Sequence, residues 1–136
     1  MIKFEVLGQP IAKQRPRVTR SGIAYTPSKT VNYEAVVRYT YQSEYPQQEL
    51  ILGRIEANII AIFPIPKSYP KYKVAKLICG YGNYDKKPDC DNLAKIILDA
   101  LNGIAYKDDS QVTVLHVRKE YGTTPRVIVE LKELEE

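Results

Sequence analysis

Asp89, Asp91, Lys95 and the pair Asp108-Asp109 put carboxylates and one ammonium close together along a short stretch that has no histidine. Oxygen donors without nitrogen or sulfur partners suit a hard cation, magnesium first and manganese as a substitute, better than zinc. Bound metal of that kind supplies what phosphodiester hydrolysis needs: an activated water, neutralised phosphoryl oxygens and help for the leaving alkoxide. Lys95 would add positive charge where the transition state accumulates negative charge.

The spacing supports such a set. Asp91 and Lys95 are four residues apart and so neighbours on a helix surface, and Asp89, two residues earlier in an extended approach, can point the same way as Asp91. Asp108 and Asp109 follow after a turn, and the chain can bring a third carboxylate back toward the helix start. Asp99 pairs with Lys95 or caps local polar groups. Taken singly these features are ordinary: Asp-x-Asp is also a helix cap beside a solvated carboxylate, and Asp91 with Lys95 is also an exposed helix pair. Their conjunction carries the reading.

A second group points to an anion. Lys13, Arg15, Arg17, Arg20 and Lys29 lie between Gly8 and Thr30 with no acidic residue among them, whereas Glu130, Glu133, Glu135 and Glu136 make the far end acidic. Lys87 stands just ahead of Asp89. These six cations are the expected contacts to DNA phosphates. Tyr81 and Tyr84 are placed to stack on unpaired bases or simply to pack within their loop. His116, alone in a strand, reads as a surface or core residue.

The elements that must hold these residues follow from pattern. Ile2, Phe4 and Val6 alternate with polar residues, predicting a first strand, and Pro10 to Pro27 reads as an extended loop or short ribbon. Ser28 or Thr30 can cap a helix to about Ser43 with Val31, Ala35, Val36 and Tyr39 on its apolar side, ended by Pro46. Arg54 to Phe63 is apolar on one face and partly on the other, predicting a central strand. Lys71 to Cys79 predicts a short helix stopped by Gly80. Asp91 to Asn102 predicts a helix capped by Asp91 and followed by Gly103, with Leu93, Ile96, Ile97, Ala100 and Leu101 docked and Asp91, Lys95, Asp99 and Asn102 presented. Gln111 to Tyr121 and Arg126 to Leu131 predict an antiparallel hairpin across Gly122-Thr123-Thr124-Pro125. The expected class is α+β, a mixed sheet of about four strands with helices packed on it, in a single domain spanning residues 1–136.

Composition excludes several alternatives. With 136 residues, 44% hydrophobic and 26% charged, the chain is an ordinary globular sequence that can bury roughly two-thirds of its unfolded surface. No apolar run approaches a membrane span and none resembles a signal peptide, so a cytoplasmic location is expected. Cys79 and Cys90 alone suggest neither a disulfide framework nor a zinc site.

Lys87-Pro88-Asp89-Cys90-Asp91-Asn92-Leu93-Ala94-Lys95, Asp99-Ala100-Leu101-Asn102-Gly103 and Asp108-Asp109-Ser110-Gln111-Val112, in that order, resemble the RusA family of Holliday-junction resolvases. Gly8-Gln9-Pro10, Lys13-Gln14-Arg15-Pro16-Arg17 and Ala24-Tyr25-Thr26-Pro27 look like that family's opening segment, while Gln42 to Asp85 matches only in general pattern. The resemblance implies a homodimeric, magnesium- or manganese-dependent endonuclease of phage or prophage type that nicks four-way junction DNA symmetrically in recombination and repair, with no organic cofactor. Carried over by motif, Asp89, Asp91 and Asp109 look like metal ligands, with Asp108 as the fallback for the third, and Lys95 looks like the catalytic lysine. A DNA-binding module with structural carboxylates, and a nuclease without junction preference, are the competing readings.

Overall fold

The structure, a computed structural model, describes residues 1–25, 27–79 and 83–135. Strands β1 (Ile2–Leu7), β4 (Ile55–Pro64), β5 (Val112–Gly122) and β6 (Arg126–Glu133) form one sheet in the order β1-β6-β4-β5. Strand β6 runs antiparallel to both β1 and β4, and β4 runs parallel to β5. The sheet is therefore mixed and four-stranded, as expected, and helices α1 (Ser28–Glu44), α2 (Lys71–Ile78) and α3 (Cys90–Ala100) complete an α+β arrangement.

The period-2 patterns decide which strand face is buried. Ile2, Phe4 and Val6, then Ile55, Ala57, Ile59, Ala61 and Phe63, then Val127, Val129 and Leu131 all point into one core with the inner sides of α1 and α3. Each large apolar side chain among them contributes on the order of 1.5–3 kcal/mol on leaving water.

The last two strands do not form the expected hairpin. Strand β4 lies between them, bonded to β5 on one side and β6 on the other. The reason lies in β4 itself. Ile60 and Ile62 make its second face apolar as well, so its burial is greatest at the centre of a sheet, and that placement excludes direct β5 to β6 pairing. The end of β5 lies so close to β4 that a Cβ at Gly122 would overlap the Ile62 side chain.

Helix α1 also departs from its expected facing. Thr30, Tyr33, Val37 and Tyr41 are its buried residues, whereas Val31, Val36 and Tyr39 are exposed, Tyr39 by 74%. The sequence carries apolar residues on two sides of this helix, and the side with the larger rings wins: Tyr41 meets Phe4 edge-on at 5.6 Å. Neither Ser28 nor Thr30 caps it. Pro27 occupies the cap position without a side-chain bond, and the buried Thr30 hydroxyl instead accepts from the Gln14 N–H at 3.3 Å.

Between β1 and α1, the chain makes a two-residue ribbon of β2 (Arg17–Val18) and β3 (Ala24–Tyr25), closed through Thr19 and turned at Gly22 with φ of 84°. The expected ribbon is present. Gly80, the expected stop of α2, and Tyr81, an expected stacking residue, lie outside the described residues.

Candidate active site

Helix α3 is the mount. Leu93, Ala94, Ile96, Ile97, Leu98 and Ala100 are buried, which fixes the helix against the sheet and α1, while Asp91 and Lys95 face solvent and Asp99 is partly covered. The helix begins one residue earlier than expected. Asp89, not Asp91, occupies the cap position with extended backbone (φ −73°, ψ 151°), and its carboxylate makes no capping hydrogen bond. A cap residue normally spends its oxygen on an orphan N–H. Here the Asp89 side chain remains available, two residues from the exposed Asp91.

The approach to Asp89 is held from below. Lys119 on β5 donates to the carbonyls of Lys86 at 2.7 Å and Pro88 at 3.0 Å, and the Tyr84 hydroxyl donates to the Lys87 carbonyl at 2.9 Å. Tyr84 stacks on Phe63 at 3.9 Å and meets Tyr121 edge-on at 5.2 Å. Packing therefore accounts for the position of Tyr84, which is half-buried. His116 is exposed, its Nε2 lying 3.1 Å from the Glu56 carboxylate.

The basic loop closes the other side. Its Lys13 N–H donates to the Asn92 carbonyl at 3.0 Å, which seats the loop on the first turn of α3. The result is an open cleft of about 410 Å³ between Gln14, Arg15 and Pro16 on the loop and Asp91, Asn92 and Lys95 on the helix. A neighbouring depression is bordered by Lys13, Lys29 and Lys87.

The expected DNA-binding cations fare differently. Arg15, Arg17, Arg20, Lys29 and Lys87 are exposed, and among the described residues no carboxylate pairs with them. Lys95 is likewise exposed and unpaired there. Lys13 is the exception: its Nζ is 3.1 Å from Glu34 and 3.3 Å from Asp99. Burial alone would lower its pKa, but the two carboxylates outweigh it and hold the ammonium above its ordinary value. Lys13 thereby ties together α1, α3 and the loop. The sequence does not reveal Glu34, since one glutamate within a mixed helix gives no signal.

Asp99 thus pairs with Lys13 rather than Lys95. The returning chain brings Asp109 beside Asp99, and Asp109 titrates above the usual carboxylate range because of burial, then the fields of Asp108 and Asp99. Asp99 lies eight residues beyond Asp91, about 12 Å along the helix. The returning chain meets α3 at Asp99, and Tyr106 anchors the turn that brings it there: its ring is buried and its hydroxyl donates to the Leu98 carbonyl at 2.6 Å. Among the described residues no three His, Cys, Asp or Glu side chains converge on one metal position.

Asp108 and Asp109 are not equivalent. Asp108 forms a capping box with Gln111 on the 3-10 turn Asp109–Gln111, and the Ser110 hydroxyl, then the Ser110 N–H at 3.1 Å, hold its carboxylate below the usual range. Asp109 has no such engagement.

Asp91 and unpaired Lys95 facing Arg15 across one cleft, with the available Asp89 two residues from Asp91, suit cleavage of a phosphodiester backbone. The chain matches the family model described as Endodeoxyribonuclease RusA over residues 8–132. It is 38% identical over 138 residues to a Bacillus subtilis (strain 168) protein described as Uncharacterized protein YqaN, covering 98% of this chain and 96% of that one. The chain belongs to the RusA family of endodeoxyribonucleases, the Holliday-junction resolvases. Nucleases of this family are generally dependent on a divalent metal, and no helix among the described residues is long and apolar enough to cross a membrane.

Proposed function

We propose that this protein is a magnesium-dependent enzyme, active also with manganese, that resolves four-way DNA junctions by paired symmetric nicks in recombination and repair. The observation that carries the reading is the Asp89 carboxylate, unspent at a helix cap, next to exposed Asp91 with unpaired Lys95 one turn on. All-oxygen donors fit a hard cation, and magnesium is commonly held by one or two carboxylates together with substrate phosphates. Asp89 and Asp91 would hold it, with Asp109 as the third acidic residue of the site. The metal, when bound, supplies Lewis acidity and an activated water.

The remaining tasks fall to the chain. Lys95 places an ammonium toward the phosphoryl oxygens, where charge grows in the transition state. Arg15, Arg17 and Arg20 bind phosphates across the cleft and fix the register of the strand. A four-way junction has two-fold symmetry and one chain offers one such set, so two copies, arranged as a homodimer, account for two nicks.

Incubation of a synthetic four-way junction with magnesium tests the reading. Asp91→Asn is expected to abolish incision while retaining junction binding and folding. Unchanged cleavage by that variant would remove Asp91 from the site, and equal cutting of linear duplex in competition would favour a nuclease without junction preference. A wild-type protein that binds junctions but never cuts them would favour the DNA-binding module.

A further inference from the structure

From Lys67 to Lys87 the chain contains six lysines and a single acidic residue, Asp85. Three of the lysines, Lys71, Lys73 and Lys76, belong to α2, an eight-residue helix whose buried residue is Leu77. All three and Lys67 are exposed, and among the described residues none pairs with a carboxylate. Tyr72, between Lys71 and Lys73, is 69% exposed. Lys73 apart, whose ammonium lies over the Tyr69 ring, this uncompensated charge on one short helix has no role in packing, and each extra lysine repels the others. A polyanion relieves that repulsion.

The helix is tied to the site. Tyr69, one residue before its Pro70 cap, packs on Tyr121 with ring centres 6.3 Å apart, and Lys73 Nζ sits 4.0 Å over the Tyr69 ring. Tyr121 in turn meets Tyr84, whose hydroxyl holds the loop that delivers Asp89. The foot of α2 and the approach to the carboxylates therefore share one aromatic mount. A strand that follows this mount away from the carboxylates encounters the lysines of α2.

We infer that α2 is a second DNA-backbone surface, in which Lys71, Lys73 and Lys76 contact phosphates of a duplex arm beyond the mount formed by Tyr69, Tyr121 and Tyr84. Lysine favours this assignment over base reading, because a mobile point charge neutralises phosphate without the planar fork that reads a base edge. The inference rests on the DNA-cleaving reading above.

Anisotropy of a labelled four-way junction and a labelled linear duplex, titrated in EDTA over a range of salt, tests it. The Lys71→Gln/Lys73→Gln/Lys76→Gln variant is expected to lower the magnitude of the log-affinity against log-salt slope by about 2 to 3, roughly 0.9 for each phosphate no longer neutralised. The corresponding loss of affinity at physiological salt is roughly 30-fold or more. Replacing the same residues by arginine should keep the slope, and Lys132→Gln, on the opposite face of the sheet, should leave it unchanged. An unaltered slope in a glutamine variant with wild-type circular dichroism overturns the inference. Should the triple variant lose its fold, each single substitution is expected to remove about 0.9, and single variants with unaltered slopes overturn it equally. A wild-type protein that cuts no DNA, combined with a reduced slope in the variant, would defeat the nuclease reading and leave this surface standing; intact junction cleavage with an unaltered slope would do the reverse.

Discussion

Lys13 Nζ lies 3.3 Å from the Asp99 carboxylate, joining the loop that carries the arginines to the helix that carries the acidic residues. With Glu34 at 3.1 Å on α1, the same ammonium holds three parts of the molecule in register. Lys13→Met should leave two partly covered carboxylates facing one another and lower stability by about 2 kcal/mol, the usual scale for charged hydrogen bonds. Chemical denaturation measures this. The sign with pH is fixed by the raised lysine pKa: the pair's contribution is complete below the ordinary value of 10.5 and is lost as pH rises through the higher folded value. From neutral pH upward, wild type and variant should therefore converge in stability only at strongly alkaline pH, and a difference that persists through that range would place the stabilisation elsewhere.

Asp109 shows the opposite balance. Burial and the neighbouring Asp108 and Asp99 favour its neutral form in the fold, so its ionisation costs stability. With a folded pKa above the unfolded one, its favourable contribution exists below the ordinary value of 3.8 and is lost as pH rises through the folded value. Metal-free Asp109→Asn should consequently melt higher than wild type at neutral pH, with the difference vanishing in acid. The same variant should lose metal-dependent cleavage. Thermal melts in EDTA, beside junction cleavage in magnesium, separate the two effects; a lower melting temperature at neutral pH would contradict the assigned strain.

Arg15 at the cleft and Arg17 on β2 both face solvent, without carboxylate partners among the described residues. Replacing both with Gln should lower the magnitude of the salt slope of junction binding by about 1.8, two phosphate contacts at roughly 0.9 each. Filter or anisotropy titrations at several salt concentrations read the change. Retention of the full slope would move the DNA path off this loop.

Much of this geometry is legible in the sequence, and the failures share a cause. Leu93, Ile96 and Ile97 at helical spacing identify the docked face of α3, and Ile2, Phe4 and Val6 at alternate positions identify β1, because one periodic face decides each element. Helix α1 misleads because Val31 and Val36 compete with Tyr33 and Tyr41 for the inner side, and only the shape of the Phe4 pocket resolves that competition. The missing hairpin is a partner choice, since β5 and β6 are adjacent in sequence yet β4 has more apolar area to cover. In the site, the run from Asp89 to Lys95 is local and its helix is legible, apart from the cap. Lys13 with Glu34, and Asp109 with Asp99, depend on meetings between distant segments that a linear pattern does not display.

Lys95 offers the sharpest separation between binding and chemistry. It is exposed on α3, one turn from Asp91, with no ion-pair partner among the described residues, so its removal leaves no buried charge stranded. Lys95→Ala should therefore fold with near wild-type stability, because a surface lysine outside any salt bridge contributes within about 0.5 kcal/mol. Its positive charge is worth most when negative charge has moved onto the phosphoryl oxygens, so the substitution should lower kcat by about 10²- to 10³-fold, the scale of losing one transition-state donor. KM should change far less, since ground-state phosphate binding is shared with Arg15 and Arg17. Single-turnover cleavage of a saturating junction measures the first quantity and a binding titration in EDTA the second. A variant that binds more weakly but, once bound, cuts at the wild-type rate would make Lys95 a phosphate contact and not a catalytic residue.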